Sequence, residues 1–142
     1  MSRTLDDLSS ACKPRAFELL ARLVERSIHV LIVDTLRTPE EHVKHLASGA
    51  SRTKFSRHLP RILREVNYPP SHPDAHKSDA IDLCPYEVFA LHGPDKLQWD
   101  PRDPAWKIIG ELGESLGFVW GGRWQAPHDP GHLELPPSIW RA

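Results

Sequence analysis

Apolar positions recur at helical spacing in two stretches of this chain and form short strand-like runs in four others, an order that predicts an α+β architecture. Residues 14 to 27 open on Pro14 and carry Phe17, Leu20, Ala21 and Val24 on one stripe, which predicts an amphipathic helix lying on a core. His29 to Leu36 is a β-branched apolar run of the kind that forms a buried strand, and it delivers Arg37 at its end. Thr38-Pro39-Glu40-Glu41 is a capping box with proline in the first helical position, and Gly49 stands where a helix stops, so a second helix covers 39–48.

From Ala50 to Lys77 the pattern breaks into basic residues, prolines and histidines, a long loop with one short helix at Arg61 to Val66. Ala80 to Cys84 then reads as a strand closed by Pro85, with Ala80, Asp82 and Cys84 on one face and Ile81 and Leu83 on the other. Residues 86–103 form a second irregular excursion, marked by Gly93-Pro94 and Asp100-Pro101. Asp103-Pro104 starts a third helix, Ile108, Ile109, Leu112 and Leu116 make its stripe, and Gly117 closes it. Phe118–Trp120 and His132–Leu135 are the remaining strands, and Pro136-Pro137 ends the domain. The expected fold is α+β: a small, mostly antiparallel sheet with helices packed on it and a cleft across one face. One domain covers 1–142, without repeat or linker.

Composition narrows the function. A formal net charge of -1 gives no electrostatic footprint for nucleic acid. No stretch approaches the ~20 apolar residues of a membrane span, so no membrane insertion is expected. The N-terminus carries Asp6 and Asp7 where a secretory signal would be basic and then apolar, which predicts synthesis in the cytoplasm without a signal peptide. Cys12 and Cys84 lie far apart and form no Cys-x-x-Cys pair, so both are read as reduced structural thiols. Nine histidines invite a metal hypothesis, and fourteen prolines imply long irregular loops.

The chemistry concentrates between Trp120 and Glu134, where two histidines, two acids, two tryptophans and three glycines fall within fifteen residues. Such a mixture serves packing poorly and suits a metal site in a cleft. Asp129-Pro-Gly-His132 puts an acid and an imidazole on either side of a turn. Hydrolytic zinc takes about three protein ligands and leaves one position for water. The helical His-Glu-x-x-His signature is absent, so any such site must be assembled from separated loops and strand ends. His29, His42, His45 and His92 sit in helical, strand-edge or turn contexts and are read as background; His58, His72, His76, Asp82, His128, Asp129 and His132 remain.

Four motifs in order, Ser56-Arg-His58, Ser78-Asp-Ala-Ile-Asp82, Trp120-Gly-Gly-Arg-Trp124 and Asp129-Pro-Gly-His132, resemble the signature of the zinc peptidases that include D-alanyl-D-alanine carboxypeptidases and L-alanyl-D-glutamate endopeptidases. Arg37-Thr-Pro-Glu-Glu41 is similar to a further segment of that family, so the resemblance runs from about Asp34 to Leu135. It implies His58, Asp82 and His132 as zinc ligands, Asp129 as general base and acid, and Arg37 as the donor to the developing oxyanion. Ser56 and Arg57 would shape the loop or touch substrate, and Trp120 and Trp124 would wall the cleft.

One departure stands out. His58 and Asp82 are separated by twenty-three residues, many more than the family places between its first histidine and its aspartate. An inserted loop at about 60–77 accounts for this, since closure entropy rises slowly with loop length. The insertion supplies His72 and His76, and His76 stands six residues before Asp82, which makes it the alternative first ligand. Glu134 shares a strand face with His132 and either orients the imidazole or is a solvated acid; His128 is either an oxyanion donor or simply exposed.

The resemblance therefore implies a zinc-dependent, endolysin-like peptidoglycan hydrolase, a monomer that cuts the L-alanyl-D-glutamate bond of stem peptides after the membrane is opened. A D-alanyl-D-alanine carboxypeptidase or dipeptidase and a non-catalytic zinc-containing wall-binding module are the alternatives. A zinc deaminase, suggested by His132-Leu-Glu134, is set aside because the Pro-Cys-x-x-Cys it needs downstream is missing.

Overall fold

The computed structural model describes residues 2–49, 56–87, 96–125 and 128–141. His92 and the Gly93-Pro94 punctuation lie outside them. The described elements are α1 (Cys12–Glu25), β1 (Val30–Asp34), α2 (Pro39–Ser48), α3 (Arg61–Arg64), β2 (Ala80–Pro85), α4 (Pro104–Ser115), β3 (Val119–Trp120), β4 (His132–Glu134) and α5 (Pro137–Trp140). Four strands form one sheet in the order β1-β2-β4-β3, and every pairing is antiparallel.

The alternation expected of β2 holds. Ile81 and Leu83 are buried with Leu133 of β4 in a core that α1 and α4 close through Leu19, Leu23 and Ile109. Asp82 therefore projects from the opposite face, where the register sets it across from His132. Complete burial of a leucine-sized side chain contributes about 1.5–3 kcal/mol. This central apolar layer is thus what holds the β2–β4 register, and with it the Asp82 and His132 positions.

Local rules account for the helices. In α2 the Thr38 hydroxyl accepts from the Glu41 N–H at 3.1 Å, and Gly49 ends the helix at φ +79°, as the capping box implies. In α4 the Asp103 carboxylate accepts from the Ala105 N–H at 2.9 Å. Three expectations need correcting. The buried stripe of α1 is Cys12, Ala16, Leu19 and Leu23, whereas Phe17 is 52% and Val24 67% exposed. The helix has two apolar stripes, and packing against α4 selects the one that begins two residues before Pro14. β1 lies at the edge of the sheet and is only half-buried until Asp34. Pro136-Pro137 does not end the domain, because proline at a first helical position starts α5, whose Trp140 is buried and donates to the Leu135 carbonyl at 3.1 Å.

The segment 60–77 is irregular apart from one short helix, as expected of a long loop, and buried ion pairs anchor it. Its helix α3 is shorter than expected and brings Arg61 and Arg64 onto Asp79, which is fully buried. Arg61 grips both Asp79 oxygens at 2.8 Å, Arg64 donates at 2.6 Å, and the Ser9 hydroxyl completes the set. Arg61 also reaches Asp74 at 3.3 Å, and Asp74 accepts from the Ser10 N–H at 2.9 Å. At the base of the segment the Asp79 N–H donates to the Arg57 carbonyl at 3.1 Å, which closes its two ends.

Burial pushes the Asp79 carboxyl up, but hydrogen bonds from Arg61, Ser9 and Arg64 outweigh it and hold the group below its ordinary value. A carboxyl lowered in the folded state stabilises the protein above its unfolded pKa of about 3.9 and loses that stabilisation as pH falls through the folded value. Asp79→Asn leaves the buried Arg64 guanidinium without its counter-charge and Arg61 with Asp74 alone, and is expected to cost about 3–5 kcal/mol. Urea unfolding at neutral pH checks this, and the gap between variant and wild type should narrow in strongly acidic buffer.

Candidate metal centre

Two neighbouring strands and one loop build the site. Asp82 and His132 face each other across the β2–β4 ladder, and the His132 Nδ1 is 2.9 Å from the Asp82 Oδ1. His58 arrives from the stretch after α2. It is held by its own carbonyl, which accepts from the Arg37 N–H at 2.9 Å, and by the Ser56 hydroxyl, which accepts from the His58 N–H at 3.2 Å. The rings of His58 and His132 meet edge to face at 5.1 Å. Together His58, Asp82 and His132 offer ligand atoms that all lie within 4.8 Å of one another.

The donor set fits a cation. The His58 Nδ1 lies 2.8 Å from the Thr35 carbonyl oxygen, an acceptor, so this nitrogen carries the proton and the Nε2 presents a lone pair. That Nε2 is buried, has no directed hydrogen bond and faces the Asp82 Oδ1 at 3.1 Å. A lone pair and a carboxylate at this range repel unless a positive charge lies between them. On the other side the His132 Nε2 donates to the Glu134 Oε1 at 2.9 Å, which leaves the Nδ1 for a ligand. Glu134 thus orients the imidazole, one of its two expected readings, and its second oxygen is 3.5 Å from the Arg57 Nε.

The electrostatics agree with this geometry. Burial would raise the Asp82 carboxyl, yet the two imidazoles beside it, His58 foremost, hold it well below the usual carboxylate range. For His132, burial opposes the charged form, but the hydrogen bonds to Asp82 and Glu134 prevail and push the imidazolium up to about 10. The site attracts positive charge strongly enough to hold a proton there, and a metal competes for the same lone pairs. Asp129 lies beside the group, in the tight turn where the His132 N–H donates to its carbonyl at 3.2 Å. Its carboxyl is raised, first by burial and then by the charge of Asp82. Gly121 allows the approach: a Cβ there would meet the Asp129 carbonyl oxygen at 2.3 Å.

Other expected residues divide. Trp124 lies 5.2 Å from the His132 ring and walls the centre. Trp120 does not: it is 7% exposed, its indole donates to the Pro130 carbonyl at 2.8 Å, and it belongs to the core because α4 presents Gly110 where the ring must fit. His76 and His72 are exposed on the segment 60–77 and take no part in the group, and His128 is exposed with its Nδ1 3.2 Å from the Trp124 carbonyl. Arg37 is 5% exposed; its Nε and Nη2 donate to the Asp34 Oδ2 at 3.2 and 2.9 Å, and its Nη1 lies 3.1 Å from the His42 Nδ1. Asp34 and His42 were missed by sequence reasoning, although an acid at the end of an apolar strand was the same signal that singled out Asp82.

Fold and site together define a small α+β protein with a buried His/Asp/His group in a surface cleft, and comparison with known proteins shows its kin. The family model described as D-alanyl-D-alanine carboxypeptidase matches residues 76–135, a span that holds Asp82, Asp129 and His132. The L-alanyl-D-glutamate peptidase of Listeria phage A118 is 29% identical over 133 residues, which cover 92% of this chain and 39% of that relative. The chain thus spans about two-fifths of that protein's length. The crystal structure of the Serratia marcescens L-Ala D-Glu endopeptidase ChiX superposes with a TM-score of 0.59 at 19% identity over 97% of this chain and 87% of that one, which shows a common fold. The chain is similar to these peptidases, in line with the resemblance carried by its four ordered motifs.

If the gathered group is the metal site, His58→Ala purified after saturation with zinc should lose most of its bound metal, while His76→Ala should match wild type. Metal analysis by mass spectrometry decides the matter, and loss from the His76 variant alone would reject this ligand set.

Proposed function

We propose that this chain is a zinc-dependent peptidase that hydrolyses the L-alanyl-D-glutamate bond of peptidoglycan stem peptides, acting as a monomer on the cell wall once the membrane has been opened. The observation that carries the reading is the partnerless Nε2 of His58 aimed at Asp82 beside His132, with a raised carboxyl at Asp129 alongside. Two imidazole nitrogens and one carboxylate are a donor set that suits zinc and leaves a position open. The names of the phage and Serratia relatives favour the L-alanyl-D-glutamate bond. The description of the matching family model favours a second reading, release of a terminal D-alanine.

In this mechanism His58, Asp82 and His132 hold the ion, and the Thr35 carbonyl and Glu134 fix the tautomer of each imidazole. Bound zinc supplies Lewis-acid polarisation and makes water a competent nucleophile near neutral pH. Asp129 takes the proton from the attacking water and returns it to the departing amine; burial suits it, because a carboxyl raised toward the working pH both accepts and releases a proton readily. Arg37, locked by Asp34, offers its remaining guanidinium N–H groups to the carbonyl oxygen as negative charge develops. Trp124 and Arg57 border the centre and position the stem peptide.

Asp129→Ala should retain zinc and lose about 10²–10⁴-fold in kcat on purified peptidoglycan, the usual contribution of a positioned proton-transfer group. Mass spectrometry of the released fragments identifies the bond. Free D-alanine without L-alanyl-D-glutamate cleavage would establish the second reading, and undiminished lysis by the Asp129 variant would overturn the mechanism.

A further inference from the structure

Beside the reacting groups lies a cavity that the mechanism leaves without a use. Asp82 and Asp129 line a space of about 400 Å³, and Val33, Trp99 and Trp106 supply its apolar wall. Trp106 is 5% exposed and belongs to the floor, whereas Trp99 is 55% exposed although its ring sits 6.4 Å from that of Trp106 at a tilt of 32°. The exposure is not that of a loose side chain. On one side of Trp99 the Gln98 N–H donates to the Pro85 carbonyl at 2.8 Å, at the end of β2. On the other side the Asp100 carbonyl accepts from the Trp106 indole at 2.9 Å, on α4. The backbone is tied at both neighbours, so an apolar indole is held open to solvent at the edge of the candidate centre.

The chemistry of the lining selects the occupant. No lysine or arginine lines the cavity among the described residues, its basic side chain His128 is exposed, and the wall is largely apolar, so an anionic side chain would find no buried counter-charge there. A glutamyl residue is therefore excluded and a small apolar one is admitted. We propose that this cavity is the subsite for the alanyl residue on the carbonyl side of the scissile bond, with its methyl group against the indole of Trp99, and that Trp99 sets the preference for alanine at that position. The volume exceeds what one methyl needs and accommodates the acyl group that precedes the alanine. This inference rests on the peptidase reading above and specifies which side of the bond the cavity serves.

The test compares zinc-loaded wild type, Trp99→Ala and Trp99→Phe on two N-acylated dipeptides, alanyl-D-glutamate and glycyl-D-glutamate. Recognition of one methyl by an apolar pocket is expressed as about a tenfold preference in kcat/KM. Wild type should show that preference, Trp99→Ala should reduce it to within about twofold, chiefly through KM, and Trp99→Phe should restore part of it. An unchanged preference in Trp99→Ala overturns the subsite. Failure of wild type to cleave either peptide overturns the peptidase reading instead, and quenching of tryptophan fluorescence by N-acetylalaninamide and N-acetylglycinamide then decides the subsite. Alanyl-selective quenching that disappears in Trp99→Ala supports it, and equal quenching by both amides rejects it.

Discussion

The carboxylate of Asp79, buried to 0% exposure, is the interaction on which the rest of the structure leans. Arg61 and Arg64 come to it from the segment 60–77, Ser9 comes to it from the turn before α1, and its own backbone continues into β2. Removing one partner would leave charge in an interior that cannot solvate it, which is why such a group must be satisfied as a unit. The guanidinium groups of Arg61 and Arg64 also lie 4.9 and 5.4 Å from the Trp140 ring, so the same cluster seats α5. One ion network thereby fixes both ends of the chain around the start of the central strand.

That arrangement explains how the long segment 60–77 coexists with the candidate metal centre. Arg57 and Asp79 are bonded backbone to backbone at the base of the segment, next to His58 on one side and three residues from Asp82 on the other. The long connection therefore leaves the relative positions of those two residues fixed. His132 is set independently, by the β2–β4 register that the Ile81, Leu83 and Leu133 layer enforces. A one-residue slip would turn His132 into the core and Leu133 toward the cleft, so the apolar layer and the polar site specify each other.

Much of this was legible in the chain. The capping box of α2, the Asp103-Pro104 start of α4, the alternation in β2 and the ordered motifs all rest on local rules, and the local geometry follows them. The fold class and the group His58, Asp82 and His132 follow from the same motifs. What could not be read depended on which of two adequate surfaces packs inward. The stripe of α1 was placed on Phe17 and Val24 because periodicity does not say which face meets α4. Trp120 was placed in the cleft because its ring fits the core only where α4 offers Gly110, a partner far away in sequence. The anchoring of the loop 60–77 could not be read because it comes from buried ion pairs, which leave no hydrophobic periodicity behind.

The acids around the candidate centre are unevenly paired. Four carboxylates, Asp34, Asp82, Asp129 and Glu134, surround two imidazoles. Asp34 has its own arginine in Arg37 at 2.9 Å, and Glu134 has Arg57 at 3.5 Å. Asp82 and Asp129 have no arginine ion pair among the described residues; burial first and then the charge of Asp82 raise the Asp129 carboxyl, while the two imidazoles hold that of Asp82 down. With neither cation nor proton in place, the lone pair of His58 adds to the repulsion at Asp82. With the outer acids paired and the inner ones not, the site is one whose charge a bound cation or a proton on His132 would balance. Binding and folding stability are then linked, because an ion that relieves repulsion in the folded state stabilises that state in proportion to its occupancy.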